Sequence, residues 1–176
     1  MPLRTETLNF DEEEQRLSEK IDEIDDVLED IDDSDIEERF RNERGELETR
    51  LEGVRWARDE AFEADYAPMW DQDVDAVELG GLTGGEFGRL EDDALESGGG
   101  QGAIRVYQVE MGTVDAPYLD DGMDKDQRIA TISQLPISYL KWAQFHIDRL
   151  TGVGGNGETN YAELYAEMRR AQSDQA

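Results

Sequence analysis

The stretch FDEEEQRLSEKIDEIDDVLEDIDDSDIEERF, residues 10–40, decides the fold class. Within it Leu17, Ile21, Ile24, Leu28 and Ile31 are spaced 4, 3, 4, 3. That is the a/d seam of a heptad, on a helix that is otherwise almost wholly acidic. Ser34 with Glu37 three residues on has the pattern of a capping box, so a second helix is expected to start there. Ile36, Phe40, Leu47, Leu51, Val54 and Ala61 give that helix an apolar stripe, with gaps at Glu43 and Arg58. Gly45 and Gly53 weaken it, by up to about 1 kcal/mol each relative to alanine. Two helices joined by a tight polar turn predict an antiparallel hairpin. The alternative is one long interrupted helix that pairs between chains.

The second helix is expected to end near Tyr66, because Pro68 disfavours helix at the residue before it. Val74, Val77 and Leu79 then suit a short extended segment. Thr83 and Glu86 form another capping-box pattern, with Leu82 placed as a staple residue and Phe87 near its mate. Phe87, Leu90, Ala94 and Leu95 fall on one face of the helix that follows, and SGGGQG (97–102) stops it. Residues 103–114 read as helix through Ile104, Tyr107, Met111 and Val114, with a strand through Val106 and Val109 as the less favoured alternative. A short helix with Ile129 and Ile132 inward comes next. Residues 135–152, LPISYLKWAQFHIDRLTG, are the most apolar of the chain, with Pro136 at the first helical position and Gly152 as the stop. Ile137, Leu140, Trp142, Ala143, Phe145, Ile147 and Leu150 surround more than one face, which marks the centre of a domain. A last helix, Asn160–Ala171, carries the stripe Tyr161, Leu164, Tyr165 and Met168. The expected fold is therefore mainly α. An acidic helical hairpin arm (1–66) leads into a compact helical domain (67–155), then a C-terminal loop and helix (156–176).

Charge narrows the function classes. Among 176 residues, 45 are acidic and 17 basic, for a net charge of −28, and only Lys20, Lys125 and Lys141 are lysines. Residues 1–66 hold 25 acidic and 9 basic residues, net −16, so the remainder is net −12 and acid is spread over both halves. A uniformly acidic, lysine-poor surface fits a salt-saturated cytoplasm, where screening removes most self-repulsion. The alternative from composition is a nucleic-acid mimic or an acidic chaperone. No basic stripe is present to displace counterions, which argues against binding nucleic acid. No apolar run approaches a membrane span, and the first residues lack the apolar core of a signal peptide. Cysteine is absent, which excludes disulfides and thiolate chemistry.

Each motif meets a bland counterpart. The glycines of residues 78–102 lack the Gly-Lys-Ser/Thr of a phosphate loop and read as turn and cap residues. GVGGNG (152–157) has dinucleotide spacing but follows a helix rather than a strand. DDGMDKDQ (120–127) has its glycine out of place for a calcium loop. His146 is the only histidine and sits in an apolar helix, so a structural role is expected. No constellation supports an enzyme, a metal site or a cofactor. Four aromatics stand out: Trp70, Tyr118, Tyr139 and Trp142. Core is the default for Trp142, whereas Trp70 and Tyr118 fall in expected loops. Trp70, Tyr118, Leu119 and Trp142 are the candidate partner-binding residues.

The order of features from Val77 to Val153 resembles the tail assembly chaperones of long-tailed phages and archaeal tailed viruses. The residues that carry it are VELGGLTGGEFGRLEDDALES, VDAPYLDD and QLPISYLKWAQFHIDRLTGVG, with Leu82, Thr83, Glu86, Pro117, Leu119, Asp120 and Gly152 matching the pattern. The resemblance implies a non-catalytic protein that coats a long helical tape-measure protein, keeps it soluble and helps recruit tail-tube subunits. Two other readings stand beside it. One is a structural virion component, such as a head–tail connector or capsid-associated protein, with a homo-oligomeric form. The other is an acidic DNA mimic or regulator that binds a basic protein through residues 1–66.

Overall fold

The computed structural model describes residues 4–63, 70–152 and 159–174. The first helix, α1 (Phe10–Glu29), starts where Asn9 leaves helical geometry and its side chain accepts the N–H groups of Asp11 and Glu12, at 3.0 and 3.2 Å. Acidic Asp11, Glu12 and Glu13 in the first turn favour that positive helix end. Leu17, Ile21 and Ile24 are buried as the heptad predicts, but the next buried residue is Val27, and Leu28 and Ile31 are half-buried. A straight helix turns every 3.6 residues rather than 3.5, so a strict heptad drifts off the buried face within two or three repeats.

The second helix, α2 (Ser34–Asp59), is capped one residue earlier than expected. Asp33 is the N-cap, accepting from the N–H groups of Asp35 and Ile36, and Ser34 is already helical. The hairpin is antiparallel and forms within one chain. Arg44 pairs with Asp25 near the turn, and Arg55 pairs with Glu14 at the far end. Helix α2 ends at Asp59; Tyr66 and Pro68, where its end was expected, lie outside the described residues.

The two halves share a small sheet that the helical pattern conceals. Strand β1 (Thr5–Asn9) pairs antiparallel with β2 (Ala76–Gly80), Leu8 opposite Val77. On the other side β2 pairs antiparallel with β3 (Thr113–Asp115), with an irregularity between Glu78 and Leu79. Residues 113–114 were expected in helix. The helix α4 (Gln101–Gly112) stops short of them, and Val114 is 45% exposed instead of inward. The buried centre of α4 is Val109, with Tyr107 and Met111 half-buried and Ile104 exposed. Between β2 and α4 lies α3 (Gly84–Glu96), whose Thr83–Glu86 capping box forms as the sequence predicts. Leu90 and Ala94 are buried, but Leu95 is 79% exposed, since it lies a further 100° around the helix from Ala94.

The centre of the molecule is α6 (Ile137–Thr151), preceded by the short α5 (Lys125–Ile132) and capped by Gly152 at φ 84°. Pro136 is its N-cap rather than its first residue, and Ile137 points outward. Tyr139, Leu140, Trp142, Ala143 and Ile147 are buried, each large one contributing roughly 1.5–3 kcal/mol. Two glycines let other elements reach its backbone. A Cβ on Gly53 of α2 would lie 2.4 Å from the Ser138 carbonyl oxygen, and one on Gly81 after β2 would lie 2.4 Å from that of Leu150. The last helix, α7 (Tyr161–Ser173), is capped by Asn160 and lies against the hairpin.

The expected divisions at 66/67 and 155/156 do not divide the packing. One hydrophobic core takes in Leu17, Val54, Val77, Leu90, Ile147 and Tyr161, drawn from all three expected units. No helix of the described residues is long and apolar enough to cross a membrane.

Candidate functional site

Trp70, Tyr118, Tyr139 and Trp142 do come together, but in the interior. The Trp70 ring centroid lies 5.9 Å from that of Tyr118 and 5.7 Å from that of Tyr139, and Tyr139 lies 5.4 Å from Trp142. Phe10 and Trp56 extend the cluster. Trp70, Tyr118 and Trp142 are 1%, 2% and 0% exposed, so as folded they offer a partner no surface. Their polar tips are mostly satisfied internally. Thr113 Oγ1 donates to the Val109 carbonyl at 2.7 Å, so the Tyr118 hydroxyl donates to Thr113 and the Tyr139 hydroxyl donates to Tyr118. Burial raises the pKa of both tyrosines. Trp70 Nε1 is buried, with no hydrogen-bond partner among the described residues. Of the four candidate docking residues only Leu119 is half-exposed.

Sequence reasoning missed Glu13. It is buried at the α1–α6 interface, where Oε2 accepts from Trp142 Nε1 at 2.8 Å and lies 2.6 Å from His146 Nε2. Arg16 adds hydrogen bonds to both carboxylate oxygens. Arg149 donates to His146 Nδ1 at 3.2 Å, so a neutral imidazole with its proton on Nε2 satisfies every partner. Burial pushes the Glu13 carboxyl up, but the hydrogen bonds from His146 and Arg16 outweigh it and hold it well below the usual carboxylate range. Burial lowers the His146 pKa, and Glu13 only partly offsets this. Both side chains are closed off from water, at 9% and 2% exposure, so this carboxylate–imidazole pair ties α1 to α6 rather than meeting a substrate. One signal in the sequence points to Glu13. It sits three residues after Phe10 and four before Leu17, on the buried face of α1.

A surface cleft of about 410 Å³ lies at the end of the sheet, between residues 71–76 and 115–123. Val74, Leu119 and Met123 supply apolar side chains, and Asp71, Asp115, Asp120 and Asp121 line it with acid. Pro117, Leu119 and Asp120, three residues of the matching pattern, all line it. The aspartates do not converge on a metal: among the described residues no three His, Cys, Asp or Glu side chains are placed to hold one. The Asp120 carboxylate accepts the Gly122 N–H, and Asp124 caps α5 in a capping box with Gln127, so DDGMDKDQ builds a turn and a helix start. Of GVGGNG only Gly152 falls among the described residues, as the left-handed cap of α6. No family model, curated protein or solved structure matches this chain.

Proposed function

We propose that this protein is a non-catalytic tail assembly chaperone, holding a long helical tape-measure protein in solution in the salt-rich cytoplasm of a host cell. The observation that carries the reading is that Pro117, Leu119 and Asp120, from the segment that resembles such chaperones, line a mostly polar, aspartate-rich cleft in which Val74, Leu119 and Met123 supply a few apolar contacts. A partner segment with apolar side chains flanked by Lys or Arg would rest on Leu119 and Met123 and meet the four aspartates. Such complementarity governs partner choice and encounter rate more than affinity. A net charge of −28 would keep the loaded complex dispersed.

The test is an affinity pull-down from a high-salt lysate of virus-producing cells, read by mass spectrometry, with wild type and Leu119→Asp side by side. Recovery of a very long helical tail protein by wild type, lost in the variant while its circular dichroism is unchanged, supports the chaperone. Recovery of portal or capsid proteins, or finding the protein at stoichiometric level in purified particles, favours the structural virion component. Recovery of DNA-binding proteins alone favours the DNA mimic.

A further inference from the structure

Helix α7 meets the hairpin as a bound helical peptide meets a groove. Its inward residues are Tyr161, Leu164, Tyr165 and Met168, at i, i+3, i+4 and i+7, the spacing by which an amphipathic helix anchors in an apolar groove. Tyr161 and Tyr165 each set a ring edge against Phe40 of α2, with centroids 6.1 Å apart. The polar contacts are few. Tyr161 donates to Glu43, Tyr165 to the Asp30 carbonyl, and Gln172 to Asp33.

Three observations mark α7 as a loose occupant. Only Tyr161 of its thirteen residues is fully buried, whereas α6 buries six of fifteen. Few buried contacts mean a low cost of local opening. A cleft of about 150 Å³ remains at the seam, lined by Phe40, Tyr161, Leu164 and Met168, so the helix does not fill its groove. Charge is also poorly matched. Residues 21–38 hold eleven acidic residues and no basic one, and α7 docks beside them through Asp30 and Asp33, while Arg39 beside Phe40 and Lys20 over the Tyr161 ring bring positive charge only to the other end of the groove. Yet α7 brings two glutamates, Glu163 and Glu167, against two exposed arginines, Arg169 and Arg170.

We propose that the hairpin face around Phe40 is a helix-binding groove in which α7 is a replaceable occupant, and that a basic amphipathic helix of a partner protein takes its place. A basic helix with the same anchor spacing keeps the apolar contacts and adds attraction to the acidic turn. The inference rests on the chaperone reading only for which protein supplies the helix.

The probe is a fluorescent peptide of residues 159–174 carrying Glu163→Lys, Glu167→Lys and Asp174→Lys, titrated into the full chain in molar KCl. A scrambled peptide of the same composition controls for charge alone. The expected result is saturable binding of the designed peptide only, with amides 161–173 of the protein losing hydrogen-exchange protection as it binds. Tyr165→Ala in the protein weakens the resident helix without touching the groove, and should tighten peptide binding by about tenfold, since the competent fraction rises. Equal binding of both peptides, binding without release of α7, or no binding even to Tyr165→Ala overturns the proposal. So does a doubled mass by light scattering with α7 still protected, which would mean exchange between copies of this chain. Recovery of the tape-measure protein in the lysate experiment alongside a negative peptide result would leave the chaperone reading standing and remove only the groove.

Discussion

Glu13 and His146 face each other at 2.6 Å across the α1–α6 interface, each closed off from water and each with a further cationic or indole partner. Removing the carboxylate strands the Trp142 N–H and the His146 Nε2–H at once and takes a hydrogen-bonded anion from Arg16. Glu13→Ala should therefore cost about 3–5 kcal/mol, the range for breaking a buried pair from one side. Urea denaturation at fixed salt measures it. A loss below about 1 kcal/mol would show that the interface relaxes around the gap.

The same pair makes stability fall with acid. His146 has a folded pKa below its ordinary 6.5, so its contribution is complete above that value and is lost as pH falls through the folded pKa. Glu13, lowered from 4.5, is lost in the same direction at lower pH. In the histidine window the slope is up to about 1.4 kcal/mol per pH unit. Relief of self-repulsion works the opposite way, so the quantity to plot is the stability of wild type minus that of His146→Gln. It should shrink as pH falls below 6.5; a difference that is flat with pH would refute a buried neutral imidazole.

Two glycines of α2 should respond with opposite signs to alanine. Gly45 has nothing within 4 Å of an added Cβ, so Gly45→Ala should stabilise by up to about 1 kcal/mol through helix propensity. Gly53 lies against the Ser138–Tyr139 backbone, so Gly53→Ala should destabilise by about 1–3 kcal/mol despite the same propensity gain. Melting temperatures of the two variants decide it.

The heptad drift predicts an asymmetry between neighbours. Val27 is 7% exposed and Leu28 is half-buried, so Val27→Asp should lose more helical circular dichroism than Leu28→Asp. The reverse order would mean that α1 supercoils with α2 and keeps the strict seam.

Dilution of salt should lower the melting temperature, because self-repulsion at −28 grows with the Debye length. Cross-helix pairs such as Arg44–Asp25 and Arg55–Glu14 offset part of the repulsion within the hairpin, and Lys125–Asp93 and Arg128–Glu110 part of it elsewhere. An unchanged melting temperature from molar to millimolar KCl would remove the inference of a salt-adapted protein.

Local periodicity was enough for the helices. The spacing of Leu17, Ile21 and Ile24, the Thr83–Glu86 box and the Gly152 stop are all relations within one or two turns, and all appear in the folded chain. Strand β1 left no such mark. TETLN alternates weakly, and its partner Ala76–Gly80 lies some seventy residues away, so pairing depends on contacts that no local window contains. The aromatic residues were singled out by type, but their depth was not legible. Trp70 and Tyr118 sit outside regular elements and still reach the interior, because Phe10, Trp56 and Tyr139 arrive there from three other helices. Of the surface cleft, Leu119 was named from the sequence, whereas Asp71 joins Asp115, Asp120 and Asp121 there only through the fold.

By itself the sequence determined a mainly helical, strongly acidic chain with two amphipathic N-terminal helices, pairing within or between chains, and an apolar helix at its centre, because helix periodicity, caps and net charge are local or additive. Only the tertiary structure decided that the two halves share one core, that Glu13 out of four consecutive acids is buried against His146, and that Gly53 is a contact rather than a weakness. Those outcomes depend on which side chains and backbones meet across distant segments, and the free energy of such meetings is set by burial and partner geometry rather than by residue type.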